Sequence, residues 1–446
     1  MEPVSTELTD RVAELMPRAR ADLAELVAHR SVHLEPESRP ACRAAAEWTA
    51  KACAELGFEV EVIETSDGSP AVVGYRAGAT PDARTVLLYS HHDVQPPGPE
   101  ERWSSPPFEL TERAGRWYGR GAADCKGNLV AHLTALRAAG ATGCAVRIVV
   151  EGSEEAGGAG LDDLARQRPE LFDADLIVIG DTGNVAAGTP TLTTSLRGVV
   201  NAKVTVRALG SAVHSGQFGG AAPDAMAALL HGLASLRNAA GDTTIDGVPG
   251  DQRWTGAPYP PVVFRADSTA LPGTELLGSG APADMVWARP AVTVIGIDAP
   301  GTADCVAAVI PEAAAMLNLR VPPGLDPRAT YDALAAHLRA HIPWQVEVDV
   351  EAQAIGAPFA AATDGPGYRA LTAALRTAYG AEVVHSGQGG SIPLCTVLAE
   401  VVPRAEIALL GVEEPLCRIH AVDESVDPEE IRRTALAEAL FLACFA

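Results

Sequence analysis

None of the eight cysteines in this 446-residue chain forms a C-x-x-C pair or a regular spacing, which excludes a zinc ribbon and argues against a disulfide framework. A reducing compartment, the cytosol, is expected. No segment reaches the roughly 18 consecutive apolar residues of a membrane span. The stretch from Met1 to Ala28 is broken by charges every few positions and lacks a signal peptide's apolar region. No membrane partner is therefore expected. Runs of Lys and Arg are missing too, and a formal charge of −23 repels polyanions, so nucleic-acid binding is excluded and cationic ligands are favoured. A G-x-S-x-G elbow is absent, which speaks against a serine hydrolase. Aromatics are scarce at 5%; apolar residues reach 47% and charged residues 20%, a globular composition tilted towards Ala, Val, Gly and Pro.

The length is too great for one ordinary core and suits a large domain carrying a smaller one. Leu8, Val12, Leu15, Met16, Leu23 and Leu26 recur at helical spacing, and a second helix is predicted over 41–56, stopped by Gly57. Apolar runs at 85–90, 145–150 and 174–180 read as strands, with a helix at 126–139 between the first two, and this alternation indicates an α/β sheet. From about Ser195 the texture changes, because 201–207 alternates polar and apolar residues like a strand with one wet face. A helix near 224–236, a Gly- and Pro-rich stretch at 246–282, strands near 291–297, 316–321 and 346–350 and a helix at 327–341 follow. Alternation resumes near Pro358. The expected architecture is an α/β catalytic domain with a central mixed sheet flanked by helices, built from 1–194 and 356–446 and interrupted by an α+β domain over 195–355.

Directly after the first strand comes His91-His92-Asp93-Val94-Gln95-Pro96-Pro97, in which an Asp two positions beyond a His is a common means of orienting an imidazole ligand. Gly119-Arg120-Gly121-Ala122-Ala123-Asp124 nearly matches a dinucleotide fingerprint, but a carboxylate in place of the third glycine would repel a pyrophosphate. Glu154 and Glu155 follow the second strand, Asp181 ends the third, and His420 lies in Arg418-Ile419-His420-Ala421-Val422-Asp423-Glu424. Each taken alone reads as a polar loop or a solvated pair. Together, His91, Glu154, Glu155 and Asp181 lie just beyond the carboxyl ends of predicted strands, the edge where open α/β sheets bind ligands. Two imidazoles and three carboxylates suit borderline divalent cations. Two such ions bring +4 against −3 from Asp124, Glu155 and Asp181, a balance that favours ionised water near neutral pH.

This ordered set resembles, over nearly the whole chain, the di-zinc peptidases and deacylases that include aminoacylase, carnosinase-like dipeptidases and succinyl-diaminopimelate desuccinylase. The resemblance implies that His91 and Asp181 hold one metal, Glu155 and His420 the other, and that Asp124 bridges them across a cis Asp124–Cys125 bond. It implies Asp93 as the orienter of His91 and Glu154 as general base to a metal-bound hydroxide. Zinc is the expected ion, with manganese or cobalt as alternatives. Leu209-Gly210-Ser211-Ala212-Val213-His214 resembles the family's lid motif, which implies that His214 polarises the substrate carbonyl from the partner subunit of a homodimer formed through the inserted domain. Arg320 and the Gly389-Gly390-Ser391 loop, with Gly390 and Ser391 foremost, resemble the anchors of the substrate carboxylate. Two departures stand out: Cys125 replaces a second Asp, and Gly387-Gln388 replaces the Arg-Glu common in dipeptidases. The expected activity is hydrolysis of dipeptides or short peptides; the alternatives are an N-acyl-amino-acid deacylase of the same fold and a catalytically silent binding protein.

Overall fold

A computed structural model describes residues 2–390 and 392–445, so Ser391 lies outside the described residues. The chain forms two compact units. The first comprises Met1–Thr194, Ala361–Ser386 and Pro393–Ala446, and the second Ser195–Ala360 and Gly387–Ile392. The insertion thus returns to the first unit at 360/361 rather than 355/356, because the strand Glu347–Gly356 and the short strand Phe359–Ala360 still pair with residues beyond Thr194. The loop 387–392, expected in the catalytic domain, groups with the second unit.

The first unit is built on a mixed sheet. Its order runs Glu59–Glu64, Pro70–Arg76, Ala145–Glu151, Thr85–His91, Leu176–Gly180, Glu406–Leu410 and Thr191–Leu196. The four central strands, from Ala145–Glu151 to Glu406–Leu410, are mutually parallel, so their carboxyl ends fall on one edge. Their near-continuous Val, Ile and Leu content is what a parallel strand buried on both faces requires, and all five residues of Leu176–Gly180 are buried. The hairpin of Glu59–Glu64 with Pro70–Arg76 was not foreseen; its outer strand alternates exposed glutamates with half-buried Val and Ile. Around the sheet the helices Glu2–Ala28, Lys126–Ala139, Pro366–Tyr379 and Pro428–Cys444 pack on one another, and their apolar stripes join one core with Val86, Leu88, Ile148 and Val178. No described helix is long and apolar enough to cross a membrane.

The second unit has an antiparallel sheet in the order Ala291–Asp298, Glu312–Val321, Gly198–Arg207 and Glu347–Gly356. Val200, Ala202, Val204 and Val206 alternate inward and meet the helices Ala225–Ser235 and Pro327–His341 in a separate core. Both helices start where an aspartate side chain accepts a backbone N–H, Asp224 from Ala227 and Asp326 from Ala329. Such caps satisfy donors that a helix start leaves free.

Candidate metal centre and substrate anchors

The candidate ligands of the first unit follow strands, precede a helix or, for His420, lie in a loop. His91 is the last residue of Thr85–His91, and Asp181 directly follows Leu176–Gly180. Glu154 and Glu155 open a one-turn 3-10 helix, Glu154–Ala156, three residues beyond Glu151. That turn fits only because Gly152 has no side chain: a β-carbon there would lie 2.6 Å from the Pro70 carbonyl and 2.9 Å from the His92 ring. Asp124 sits ahead of the helix Lys126–Ala139 on a peptide bond to Cys125 that is cis. His420 lies in a segment where Arg418, His420 and Asp423 all adopt positive φ. Such backbone costs about 1–3 kcal/mol per residue and persists where surroundings hold it. Asp423 supplies one hold, accepting bonds from Ser104 N at 2.9 Å and Ser104 Oγ at 2.7 Å.

The donors converge in two sets that share one carboxylate. The Nε2 of His91 is 3.1 Å from Asp124 Oδ1 and 3.3 Å from Asp181 Oδ1. His420 Nε2 is 2.9 Å from Asp124 Oδ2 and 3.2 Å from Glu155 Oε1. Ligands about 2.0–2.2 Å from a tetrahedral ion stand roughly 3.3 Å apart, so the histidine-to-carboxylate separations in both triangles suit neighbouring ligands of a zinc-like ion. The tautomer points the same way. His91 Nδ1–H donates to the Asp93 carbonyl at 3.0 Å, which turns Nε2 towards the oxygens of Asp124 and Asp181. A neutral imidazole held this way aims its Nε2 lone pair at the point those oxygens also face, as a shared cation requires. Cys125 is a poor ligand despite lying beside His91 and Asp181, since its Sγ donates to the Gly180 carbonyl at 2.8 Å and burial pushes its thiol pKa well up.

Without an ion the charges are held by strongly displaced protons. Burial and then Asp181 raise the Glu154 carboxyl well above its usual range, and burial with the charges of Asp124 and Glu155 pushes Asp181 up to about 6. Hydrogen bonds to Asp124 and Glu155 lift His420 to about 10. Burial opposes the His91 imidazolium, yet Asp181 and Asp124 raise it well above its ordinary value. Burial would likewise raise Asp124, but bonds from His420 and His91 hold it low. The site is built to attract positive charge. Glu154 belongs to neither triangle: its nearest approach to an imidazole is 4.0 Å, from Oε2 to His91 Nε2.

Asp93 meets His91 Nδ1 twice, its backbone carbonyl accepting at 3.0 Å and its carboxylate Oδ1 lying 3.4 Å away. The carboxylate accepts the backbone N–H of Glu154 at 3.2 Å and of Glu155 at 3.0 Å. It therefore positions the two-glutamate turn. Two further groups were missed. Gln95 Nε2 donates to Glu155 Oε2 at 2.8 Å, which turns the other oxygen towards His420. Glu424, fully buried, accepts from Arg120 Nη1 and Gly121 N on Oε2 and from Ala123 N and Asp124 N on Oε1, tying the Asp124 loop to the segment of His420. Both lie inside motifs read from the sequence, but nothing in one sequence distinguishes such a carboxylate or amide from a solvated one.

The second unit holds the remaining candidates. His214 is exposed at the end of the short strand Val213–His214, and its Nδ1 accepts the Gly216 N–H at 3.0 Å. Arg320 pairs Val199 in the sheet ladder, two residues from Arg197. Arg197 is buried, its Nε and Nη1 lack partners, and a β-carbon on Gly389 would meet its Nη2 at 2.8 Å. Burial and then Arg320 push Arg197 down to about 10. Among the described residues neither arginine has an acidic partner. Arg197 thus lies against Gly389 with Nε and Nη1 unpartnered, and Arg320 adds to the positive charge around it. Arg197 was not among the candidates read from the sequence.

Comparison with known proteins places this geometry. The model of peptidase family M20/M25/M40 matches residues 87–443. The cysteinylglycine-S-conjugate dipeptidase of Corynebacterium striatum is 46% identical over 431 residues, 95% of this chain and 94% of the relative. The Cys-Gly metallodipeptidase of Saccharomyces cerevisiae is 27% identical over 84% of this chain and 82% of its own. The fold is also that of human carnosine dipeptidase 1, with a TM-score of 0.80 at 24% identity, covering 99% of this chain and 98% of that one.

Proposed function

Since this chain belongs to peptidase family M20/M25/M40, we propose that it is a dipeptidase that holds two divalent ions, zinc foremost, and takes X-Gly dipeptides of the cysteinylglycine kind. The observation that carries the reading is the pair of donor triangles sharing Asp124, with Glu154 beside them and outside both. His91, Asp124 and Asp181 would hold one ion, and Glu155, His420 and Asp124 the other. When bound, the ions supply Lewis acidity and promote the ionisation of water.

The chain's own residues do the rest. Glu154, whose turn Asp93 fixes, takes the proton of the attacking water and delivers it to the leaving amine nitrogen. Gln95 and Glu424 hold Glu155 and Asp124 in register. Arg320 and Arg197, with Gly390 and Ser391 of the neighbouring loop, bind the substrate carboxylate, and His214 donates to the developing oxyanion. In this reading the second unit is a lid and dimerisation domain. Val294, Ile295 and Ile297 are exposed on its edge strand Ala291–Asp298, an apolar edge of the kind that proteins normally cover, and it favours a homodimer. The eight unpaired cysteines favour a cytosolic setting.

Asp181 separates this reading from the deacylase, since the family resemblance puts Asp here in dipeptidases and Glu in deacylases. The test is hydrolysis of free dipeptides against the same residues carrying N-acetyl or N-succinyl groups, with metal content measured on the same sample. Free dipeptides should lead by at least about tenfold in kcat/KM, roughly 1.4 kcal/mol of transition-state stabilisation. Equal or faster cleavage of the acylated compounds would replace the dipeptidase by a deacylase.

A further inference from the structure

The second unit has a group of its own in which two imidazoles and a carboxylate converge. His337 and His341 lie four residues apart on the helix Pro327–His341, the spacing that puts two side chains on one face. Their rings stack with centroids 4.0 Å apart and planes 26° apart. Asp246, which opens the Gly- and Pro-rich stretch, turns one oxygen to both: its Oδ2 is 3.2 Å from His337 Nδ1 and 2.8 Å from His341 Nε2. One donor atom from each of the three lies within 4.8 Å of the others. The helix Ala225–Ser235 backs this group closely, since a β-carbon on Gly232 would collide with Ile342, the residue after His341.

The tautomer of His337 is set from both sides. Its Nδ1 accepts the Asp246 N–H at 3.1 Å, so the ring proton sits on Nε2 and is donated to Ser235 Oγ at 3.0 Å. That hydroxyl gives its own hydrogen to the Gly232 carbonyl at 2.7 Å. Metal-ligating histidines are held in this way, the far nitrogen donating to a fixed acceptor while the near one keeps its lone pair. His337 is buried, and burial with the charge of His341 keeps its pKa below the ordinary value, so the ring is neutral at pH 7, as a ligand must be. An ion pair with Asp246 is complete with His341 alone. A second, neutral imidazole beside the same oxygen adds little to that pair, but it completes a set of two nitrogens and one oxygen that suits a borderline divalent cation. His341 ends its helix, where free carbonyls carry partial negative charge and favour a cation. Asp246 and His341 are exposed, so an ion can enter from solvent and keep a water as its fourth ligand. An ion on Nδ1 takes the place of the Asp246 N–H, a donor that water can receive at this exposed residue.

We propose that Asp246, His337 and His341 form a binding site for a divalent metal ion, zinc foremost, that bridges the start of the Gly- and Pro-rich stretch and the end of the helix Pro327–His341. The site is separate from the dipeptidase reading and does not depend on it. The test dialyses the full-length protein against buffered free zinc, at the concentration that just saturates the wild type, and counts zinc bound per chain. His341→Ala and Asp246→Ala alter exposed side chains, and each should bind one ion fewer than the wild type. Ser235→Ala keeps all three ligands but removes the acceptor that fixes the His337 tautomer, and it should weaken the same ion by about 10–100-fold. The comparison reads a difference of one ion, so the number held by the candidate metal centre of the first unit does not enter it. A zinc count in either His341→Ala or Asp246→Ala equal to that of the wild type overturns the site.

Discussion

Replacing Glu424 with glutamine alters one atom, yet it removes an acceptor on which the Asp124 loop hangs. Four donors converge on this buried carboxylate: Arg120 Nη1 at 2.6 Å and Gly121 N at 3.0 Å on one oxygen, Ala123 N and Asp124 N at 3.1 Å each on the other. Glutamine offers one acceptor oxygen and one amino group, so two donors must face an N–H instead of an acceptor. Breaking a buried ion pair by removing one partner costs about 3–5 kcal/mol, because the remaining charge stays desolvated. Arg120 keeps bonds from Nη2 to the Pro96 and Ala421 carbonyls at 3.3 Å each, which places glutamine at the lower end, about 3 kcal/mol. The loss is local to the loop of the shared carboxylate, so zinc affinity should fall as well, by about 10–100-fold, as is typical for partners that orient metal ligands. Urea unfolding of zinc-loaded and chelator-treated protein reads the first effect, and competition with a zinc-binding dye reads the second. Glu429→Gln serves as control, since Glu429 pairs with arginines at the surface and should change stability by no more than about 0.5 kcal/mol. A Glu424→Gln protein within 1 kcal/mol of wild type, binding zinc as tightly, would refute the reasoning.

Glu154→Gln should retain two metal ions per chain while losing nearly all turnover, measured by metal analysis alongside a dipeptide assay; metal lost together with activity would mean the two glutamates are reversed. Gln95→Leu frees Glu155 Oε2 and should weaken the ion on the His420 side by about 10–100-fold, whereas unchanged zinc competition would assign Gln95 no part in the site. Chelation should abolish hydrolysis and added zinc restore it, while hydrolysis that survives verified metal removal would end the di-metal reading. Mixing inactive Glu154→Gln chains with inactive His214→Ala chains should restore part of the activity through hybrid dimers; no recovery despite proven subunit exchange would place His214 outside a shared site.

Local patterning carried a large part of this protein. The helix at 327–341 was legible because Asp326 caps it, Pro327 opens it and its apolar residues repeat at helical spacing. The strand at 176–180 was legible because a parallel strand buried on both faces must be continuously apolar. Strand ends then indicated His91, Glu154, Glu155 and Asp181, since the carboxyl edge of such a sheet is open to ligands; the parts of Asp124, His420 and His214 came from motif resemblance. What tertiary structure decided was pairing at long range. The carboxylate of Asp93, 3.4 Å from its neighbour His91, also accepts two backbone amides 61 and 62 residues away, because the glutamate turn lands beside it. Glu424 reaches a loop about 300 residues earlier, and Arg197 is buried with no acidic partner among the described residues. Gly387 is required by Trp287, a residue 100 positions upstream. Residue type and spacing determine which elements form and which side chains can do chemistry; only packing determines which of those side chains meet, because that depends on distances the chain sets in space and not along its length.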